Sequence, residues 1–409
     1  MYYKDLSKLI YRIFKKHNLS SKDSKICSDA ITQSELVEAT SHGLSRLKMY
    51  CDRINKKVIN PKPKFKIKKI SQSIYHIDAD KSIGFVAAQK ATDIAIKTAS
   101  SKGFAMIGVK NSGHYGASSY YINQAVKKNL IALCFTNAPS AIAPYGSKKK
   151  MFGTNPISFG APTKFKYPFI FDSSMSIINR GKIRLAAKQK KNIPYGVALD
   201  KSGKITTNPK KALEGVQLPI AGFRGSGLAW MVDILSGIFT GAAHGKSVRD
   251  PFDDFSGPQN VGHLFIFFKS SLFTNNFSKR MKESIINVKK LPKTKGTREI
   301  FYPGQQKYMK YNKNLKKKIK IPNKIKIEDR MSLGILIFKP VRAPIEVANI
   351  GPKNHAKGKL SISATKALGI EIAITRRNFI EKICLKFSLL NGIAWLFCII
   401  YDFRIHWNW

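Results

Sequence analysis

Residues 104–137 read FAMIGVKNSGHYGASSYYINQAVKKNLIALCFTN, and this stretch decides the fold class. Residues 104–110 and 130–137 are short apolar runs of the kind found in buried strands. Between them, Ala117, Tyr121 and Ala125 recur at helical spacing. The stretch therefore predicts a strand, a turn, a helix and a second strand, and it places the chain in the α/β (α+β) class.

The segments before this unit also have clear periodicity. Residues 73–80 (SIYHIDAD) alternate like a strand. Ala87, Ala91 and Ala95 then share a helical face, and Gly103 marks the end of that helix. At the chain start one apolar face predicts an amphipathic helix and not a signal peptide. That face consists of Leu6, Ile10, Ile13 and Phe14.

Two further helices are predicted after the unit, at residues 180–192 and from about Gly225 onward. In the second, an apolar face is formed by Leu228, Met231, Leu235 and Ile238. Residues 305–330 are rich in lysine and predict a connector.

The chain is strongly basic: 409 residues carry 72 Lys+Arg against 24 Asp+Glu, a formal net charge of +48. A hydrophobic share of 43% excludes wholesale disorder. Such a charge often indicates a polyanionic partner. However, only 14 of the basic residues are arginine, the residue that bidentate phosphate and base contacts favour. We therefore expect no nucleic-acid partner.

The cysteines indicate a reducing compartment. There are five, widely spaced and without a CxxC pair, so neither a disulfide framework nor a metal site is predicted. We expect a cytoplasmic protein. Residues 387–401 (FSLLNGIAWLFCIIY) carry no charge but are shorter than the roughly 18–20 apolar residues that a spanning helix needs. Membrane contact through this segment is the less favoured alternative.

The segment TSHGLSR, residues 40–46, combines a hydroxyl, an imidazole and a guanidinium. A histidine is a natural proton donor to an alkoxide, and an arginine can bind a carboxylate in bidentate fashion. Ser41 could orient His42, and Arg46 could hold a substrate carboxylate. The competing interpretation is a helix cap at the surface.

Other polar clusters lie at predicted strand ends and helix starts. The turn NSGHYGAS (111–118) precedes a helix whose free N–H groups could attract phosphate. The run GFRGSG (222–227) also opens a helix. The other candidate polar residues are Thr154, Asp172–Ser174 and Arg180–Gly181. Each of these alone is also compatible with an ordinary turn.

Taken in order, six segments resemble the second type of malate/L-lactate dehydrogenase family over roughly residues 1–337. This family includes ureidoglycolate and sulfolactate dehydrogenases, diketogulonate reductase and Δ1-piperideine-2-carboxylate reductases. The segments are SHGLSR, NSGHYGASSYY, TNAPSAIAPYGSKKKMFGTNPISFGAPT, PFIFDSSMSIINRGKI, IPYGVALDKSGKITTNP and LPIAGFRGSGLAWMVDILSG.

The resemblance implies a non-Rossmann NAD(P)-binding domain on a largely antiparallel sheet with surrounding helices, plus an N-terminal helical domain. It also implies a homodimer and a small 2-oxo or 2-hydroxy acid substrate. The domains expected are 1–70 (helical, with the proton-donor motif), 71–304 (cofactor and substrate core), 305–337 (connector) and 338–409, a divergent tail, unstructured or weakly membrane-associated.

The resemblance also implies roles for individual residues. His42 corresponds to the proton donor and Ser41 to its partner. Substrate contacts are implied for Arg46, Thr154, Arg180 and Gly181. Contacts to NAD or NADP are implied for His114, Tyr115, Gly116, Ala117, Ser118, Asp172, Ser173, Ser174, Phe223, Arg224, Gly304 and Gln305. No metal is implied.

Three departures from the family pattern stand out. Phe223 replaces a histidine, Gln305 replaces a glutamate, and the helix after Arg180–Gly181 lacks the acid that some members carry. The function implied is interconversion of a 2-hydroxy and a 2-oxo acid, malate/lactate type. The alternatives are reduction of a cyclic imino acid of the Δ1-piperideine-2-carboxylate type, and a degenerate member without activity.

Overall fold

The structure is a computed structural model that describes residues 1–319, 370–377, 380–387 and 396–400. The chain divides into two units, Met1–Phe338 and Lys339–Trp409, and each is treated by itself.

The first unit contains both helices and strands. The helices are α1 (Tyr3–Lys16), α2 (Ser21–Leu36), α3 (Leu47–Asn55), α4 (Gly84–Lys102), α5 (Ser119–Val126), α6 (Arg180–Lys188), α7 (Pro209–Glu214), α8 (Phe223–Asp233), α9 (Phe277–Lys290) and α10 (Gln305–Leu315). The strands are β1 (Lys66–Lys69), β2 (Ile74–Asp78), β3 (Phe104–Ser112), β4 (Leu130–Thr136), β5 (Ile157–Ala161), β6 (Phe169–Ser173), β7 (Ala198–Leu199), β8 (Val216–Gln217) and β9 (Val261–Lys269).

A seven-stranded sheet in the order β1-β2-β3-β9-β4-β5-β6 forms the centre of this unit. The β2–β3 pair is parallel and the other neighbours are antiparallel. This confirms a mixed α/β fold with a mostly antiparallel sheet. The predicted strand–helix–strand unit is present as β3–α5–β4, but β9 lies between its two strands. The helix α5 begins at Ser119, two residues after the predicted Ala117.

Helix α4 packs on the sheet through alanines, because small side chains allow close approach of a helix and a sheet. Ala87, Ala91 and Ala95 are fully buried with Phe265 and Phe267 of β9. The helix ends at Gly103, which adopts a φ of 84° and returns its N–H to the carbonyl of Ala99. Both features confirm the prediction from the sequence.

The N-terminal helices α1 to α3 share a second core. The predicted apolar face of α1 is buried there: Leu6, Ile10, Ile13 and Phe14. Helix α2 starts with a cap in which Ser20 Oγ accepts the N–H of Asp23 at 3.0 Å. On α3, the buried Arg53 donates to the carbonyls of Asp254 (2.7 Å) and Gly257 (2.9 Å). This guanidinium ties the loop after residue 250 to the N-terminal helices.

The Lys-rich segment 305–330, predicted as a connector, begins as the packed helix α10. The amide of Asn314 donates to the carbonyl of Leu36 at 3.0 Å, which fixes α10 against the end of α2. Residues 320–330 lie outside the described residues.

In the second unit, β10 (Ile370–Arg377), β11 (Ile380–Phe387) and β12 (Leu396–Ile400) form an antiparallel sheet in that order. The described part of the apolar stretch 387–401 is therefore strand, and residues 388–395 and 401 lie outside the described part. Across the described residues, we find no helix with the length and apolar character that membrane crossing requires.

Candidate active site

The motif at residues 40–46 folds as two short 3₁₀ turns, Thr40–His42 and Leu44–Arg46, with Gly43 between them. A Cβ at Gly43 would lie 2.0 Å from Glu35 Oε1, so any side chain there would collide with the carboxyl group. The same oxygen accepts the N–H of Leu44 at 2.7 Å. Burial raises the pKa of Glu35. Glu35 was not predicted from the sequence, yet it holds the turn that presents His42.

The two short turns orient His42 through its neighbours. Ser41 Oγ lies 2.9 Å from His42 Nδ1, as predicted for its orienting partner. Arg46 donates from Nε to the carbonyl of Ser41 at 2.9 Å, which fixes the backbone under the imidazole. With Nδ1 engaged by Ser41, the Nε2 atom of His42 is the one available to a substrate.

A second imidazole, that of His114, stacks on His42 with 5.5 Å between ring centroids. His114 Nδ1 accepts the N–H of Gly116 (3.3 Å) and lies 2.6 Å from the hydroxyl of Tyr50. Because Nδ1 accepts from a backbone N–H, the neutral ring carries its proton on Nε2. Burial and Arg46 lower the pKa of His42 to about 4, and burial lowers the pKa of His114 well below its usual value. Both rings are therefore neutral at pH 7.

The turn around His114 is sterically fixed. Gly116 has a φ of +77°, and a Cβ there would lie 2.5 Å from the ring of Phe85. The ring of Tyr115 stacks on His263, with centroids 4.5 Å apart, and its hydroxyl lies 2.7 Å from Ser118 Oγ. The side chains of Tyr115 and Ser118 are thus buried. A cofactor could reach these two residues only at the backbone.

The carboxylate of Asp172 occupies the start of α5. Its Oδ2 accepts the N–H of Ser119 at 3.2 Å, and its Oδ1 accepts from Ser158 Oγ at 2.8 Å. The helix start that the sequence offered to a phosphate therefore already has a carboxylate partner. Lys307, which was not predicted, lies 3.8 Å from Asp172. Both groups act on the pKa of His42, which Asp172 raises and Lys307 lowers.

The motif Pro303–Gln305 lies beside this carboxylate, because the N–H of Ile170 on β6 donates to the carbonyl of Pro303 at 3.1 Å. The side chain of Gln305 is buried and engaged elsewhere. Its amide donates to Glu299 at 2.7 Å and its oxygen accepts from Lys289 at 3.3 Å. Gly304, but not the Gln305 side chain, lines the space next to Lys307.

That space is a cavity of about 90 Å³ between α2, α5 and α10. Its polar lining consists of Gln33, Ser119, Asn123, Lys127, Lys307, Tyr308 and Tyr311. Two ammonium groups with hydroxyl and amide groups are a donor set that suits phosphate oxygens. The residues present therefore fit the anionic part of a nicotinamide cofactor. Among the described residues, no group of three or more His, Cys, Asp or Glu side chains could hold a metal ion.

Arg46, in the turn after His42, shares an aromatic neighbour with Arg184. The guanidinium of Arg46 lies 5.0 Å from the ring centroid of Phe252, and that of Arg184 lies 4.7 Å from the same centroid. A Cβ at Gly181 would lie 3.5 Å from Ser41 Cβ, so the start of α6 packs against the Ser41 turn. Arg180 Nη2 donates to the carbonyl of Leu213 at 3.3 Å. The sequence predicted Arg46, Arg180 and Gly181 here, but neither Phe252 nor Arg184.

The remaining predicted residues lie near the end of β6 and the start of α8. The carbonyl of Thr154 accepts the N–H of Met175 at 2.8 Å, and the carbonyl of Met175 accepts from Ile220. This links the end of β6 to the segment that enters α8. The hydroxyls of Ser173 and Ser174 donate to nearby backbone carbonyls. Phe223 and Arg224 are exposed at the start of α8, where Phe223 meets Tyr145 edge-on at 6.1 Å.

Comparison with known proteins identifies the family to which the chain is similar. Residues 1–328 match the malate/L-lactate dehydrogenase family profile. The chain is 37% identical over 303 residues to an L-sulfolactate dehydrogenase of Methanocaldococcus jannaschii, covering 73% of this chain and 86% of that protein. It is 34% identical over 347 residues to a malate dehydrogenase of Pyrococcus abyssi, covering 82% and 90% of the two chains. The solved structure of sulfolactate dehydrogenase from Methanocaldococcus jannaschii superposes with a TM-score of 0.76 at 34% identity, covering 82% of this chain and 96% of that one. This protein belongs to the malate/L-lactate dehydrogenase family.

Proposed function

We propose that this chain reduces a 2-oxo acid to the 2-hydroxy acid with NADH or NADPH, with His42 as the proton donor. As a member of the family it is an NAD(P)-dependent oxidoreductase that acts on the CH–OH group of 2-hydroxy acids. The observation that carries the residue assignment is the geometry at His42. Ser41 holds one ring nitrogen, and Arg46 is bonded to the same turn.

In the proposed mechanism, Arg46 and Arg180 bind the substrate carboxylate. A planar guanidinium binds a carboxylate through two parallel hydrogen bonds, so it fixes orientation as well as position. When bound, the reduced nicotinamide supplies the hydride to C2. His42 in its protonated form gives the Nε2 proton to the oxygen on C2, while Nδ1–H donates to Ser41 Oγ. The guanidinium groups stabilise the negative charge that develops on that oxygen.

The cofactor contacts are proposed at the His114 turn, Asp172 and Gly304. Asp172 and Gly304 lie next to Lys307 and the cavity that suits phosphate. The family's cofactor domain implies binding without a Rossmann fold, and the mostly antiparallel sheet supports this. We also propose a cytoplasmic location. Cys27, Cys51 and Cys134 are all buried thiols, which is consistent with a reducing compartment.

The test of the proposed function is oxidation of NADH and of NADPH in the presence of a substrate panel. The panel contains pyruvate, oxaloacetate, sulfopyruvate and Δ1-piperideine-2-carboxylate. Turnover of a 2-oxo acid supports the proposal, and turnover of the imino acid alone would replace it with the alternative. Bound NADH without turnover of any compound would indicate a degenerate site.

The pH dependence of the reduction should report the environment of His42. The reduction needs the imidazolium form, and the pKa of His42 is about 4. The kcat/KM for the 2-oxo acid should therefore fall as pH rises above about 4. Lys307→Gln removes a cation that lowers this pKa, so the falling limb should move to higher pH. The effect should be well below one unit, since Lys307 is partly exposed.

The measurement is a pH profile of kcat/KM at saturating cofactor for wild type and Lys307→Gln. The control is Lys313→Gln, which removes an exposed lysine from the same helix and should leave the limb in place. A limb that stays fixed or moves to lower pH in Lys307→Gln contradicts the assignment of His42.

We propose that the protein is a homodimer that uses the exposed face of α8. The helix predicted there is present, and it continues into a π-helical segment, Ile234–Ile238. Phe223, Trp230 and Phe239 are 73%, 56% and 62% exposed. Leu228, Met231, Ile234 and Ile238 extend the apolar surface. A contiguous patch of large apolar side chains marks an interface, and a second copy of the chain is the occupant that the family implies.

The double variant Ile234→Asp, Ile238→Asp should be monomeric. Burying two carboxylates in an apolar interface costs a large desolvation free energy, so the dimer should dissociate at micromolar concentration. Light scattering coupled to size-exclusion chromatography measures the mass. Phe273→Asp, at a side chain that is 95% exposed after β9, is the control and should leave the mass unchanged. A dimeric mass for the double variant would place the interface elsewhere.

A further inference from the structure

One residue beside the proposed carboxylate site remains without a role. Arg184 lies one turn after Arg180 on α6, so the two side chains share a helix face. Asn179 fixes the start of this helix, because its Oδ1 accepts the N–H of Lys182 at 2.8 Å. Both arginines therefore belong to a helix whose first turn is capped.

Phe252 brings Arg184 and Arg46 together, although they belong to different elements. Their guanidinium carbons lie 4.7 Å and 5.0 Å from the centroid of that one ring. The loop that carries Phe252 is anchored to α3 by the hydrogen bonds from Arg53 to Asp254 and Gly257. The aromatic ring thus holds two cations near each other in a fixed place.

The arginines of this cluster form no ion pair within the described part of the chain. No carboxylate lies within 4 Å of Arg46, Arg180 or Arg184 there. Asp250 acts on Arg46 and Arg180, and Asp253 acts on Arg180, only at longer range. In addition, the buried Nε of Arg180 has no hydrogen-bond partner. A buried N–H without a partner is costly, so a ligand oxygen is its expected acceptor.

A single carboxylate does not need three guanidinium groups. One arginine satisfies it in bidentate fashion, and like charges at i and i+4 on a helix repel each other. A ligand with two anionic groups accounts for the third cation. Four-carbon 2-oxo diacids and their sulfonate analogues have this chemistry.

We propose that Arg184 is a specificity-determining residue that binds the second anionic group of a dianionic 2-oxo acid. This inference rests on the proposed function, since Arg46 and Arg180 are taken to hold the first carboxylate. Arg184 would thereby favour dianionic substrates such as oxaloacetate over monoanionic substrates such as pyruvate. The determinant is the guanidinium fixed on Phe252.

The experiment compares kcat/KM for oxaloacetate and pyruvate in wild type, Arg184→Gln and Arg184→Lys. Loss of one charge-assisted contact should lower kcat/KM for oxaloacetate about 10- to 100-fold in Arg184→Gln. The value for pyruvate should change by less than about threefold. Arg184→Lys should lie between wild type and Arg184→Gln, because it keeps the charge but not the planar fork. Lys188→Gln is the matched control, since it removes the same charge one turn further along α6.

Two binding measurements separate this inference from its alternatives. The Kd for NADH, measured by fluorescence, should be unchanged in Arg184→Gln, and weaker NADH binding would assign Arg184 to the cofactor instead. Calorimetry should show that wild type binds L-malate more tightly than L-lactate and that Arg184→Gln loses this preference. Equal losses for both acids, or no preference in wild type, overturn the inference. If the preference depends on Arg184 but no 2-oxo acid is turned over, the proposed function fails and the inference stands.

Discussion

His42→Ala should lower kcat for reduction of the 2-oxo acid by about 10²- to 10⁴-fold, the range that general acid catalysis supplies. The imidazole is the proposed proton donor, and Ser41 holds its Nδ1 at 2.9 Å. The Kd for NADH should change little, because the role proposed for His42 is proton transfer to the substrate and not a contact with the cofactor. Steady-state kinetics and NADH fluorescence on one preparation measure both effects.

The stacked pair of imidazoles makes this test more discriminating. His114→Ala should affect NADH binding more strongly than His42→Ala, since His114 belongs to the turn proposed to contact the cofactor. His244→Ala removes an exposed imidazole after α8 and should leave both parameters unchanged. If His114→Ala abolished turnover while His42→Ala kept it, the proton donor would be His114.

Arg46→Gln should raise KM for the 2-oxo acid and lower kcat/KM by about 10²-fold or more. The variant loses a bidentate, charge-assisted contact, and the substrate is no longer oriented toward the hydride. Arg46→Lys should recover only part of the activity, because an ammonium group cannot provide the fork geometry. The Kd for NADH should remain close to the wild-type value.

Two controls define what an Arg46 result means. Arg46 Nε also binds the carbonyl of Ser41, so the melting temperature of each variant has to be compared with wild type. Arg280→Gln removes an exposed arginine from α9 and should not change KM. An unchanged KM in a folded Arg46→Gln protein would show that another cation holds the carboxylate.

Much of the local structure could be read from the sequence. Periodicity predicted the apolar face of α1, the alanine face of α4 that ends at Gly103, and the strands β3 and β4. Spacings of 3.6 and 2 residues show which side of a helix or strand is buried. The position of β9 between β3 and β4 in the sheet could not be predicted from the sequence. Strand neighbours depend on packing between distant segments, which no local pattern encodes.

The candidate site shows the same division. The segment at residues 40–46 contains the hydroxyl and imidazole side chains in contact range, so the contact of Ser41 with His42 was predicted. The hydrogen bond from Arg46 to the carbonyl of Ser41 was not. The partners that define their chemistry come from elsewhere in the chain. Glu35 shapes the turn, and Lys307 acts on the pKa of His42.

Some residues within the predicted motifs are also used differently in the fold. Tyr115 and Ser118 turn their side chains into the core, and Gln305 binds Glu299 and Lys289. The sequence by itself determined which residue types are available near His42 and which segments are helix or strand. Only the tertiary structure decided that Phe252 brings Arg184 beside Arg46, because that contact joins segments far apart in sequence and depends on how their surfaces pack.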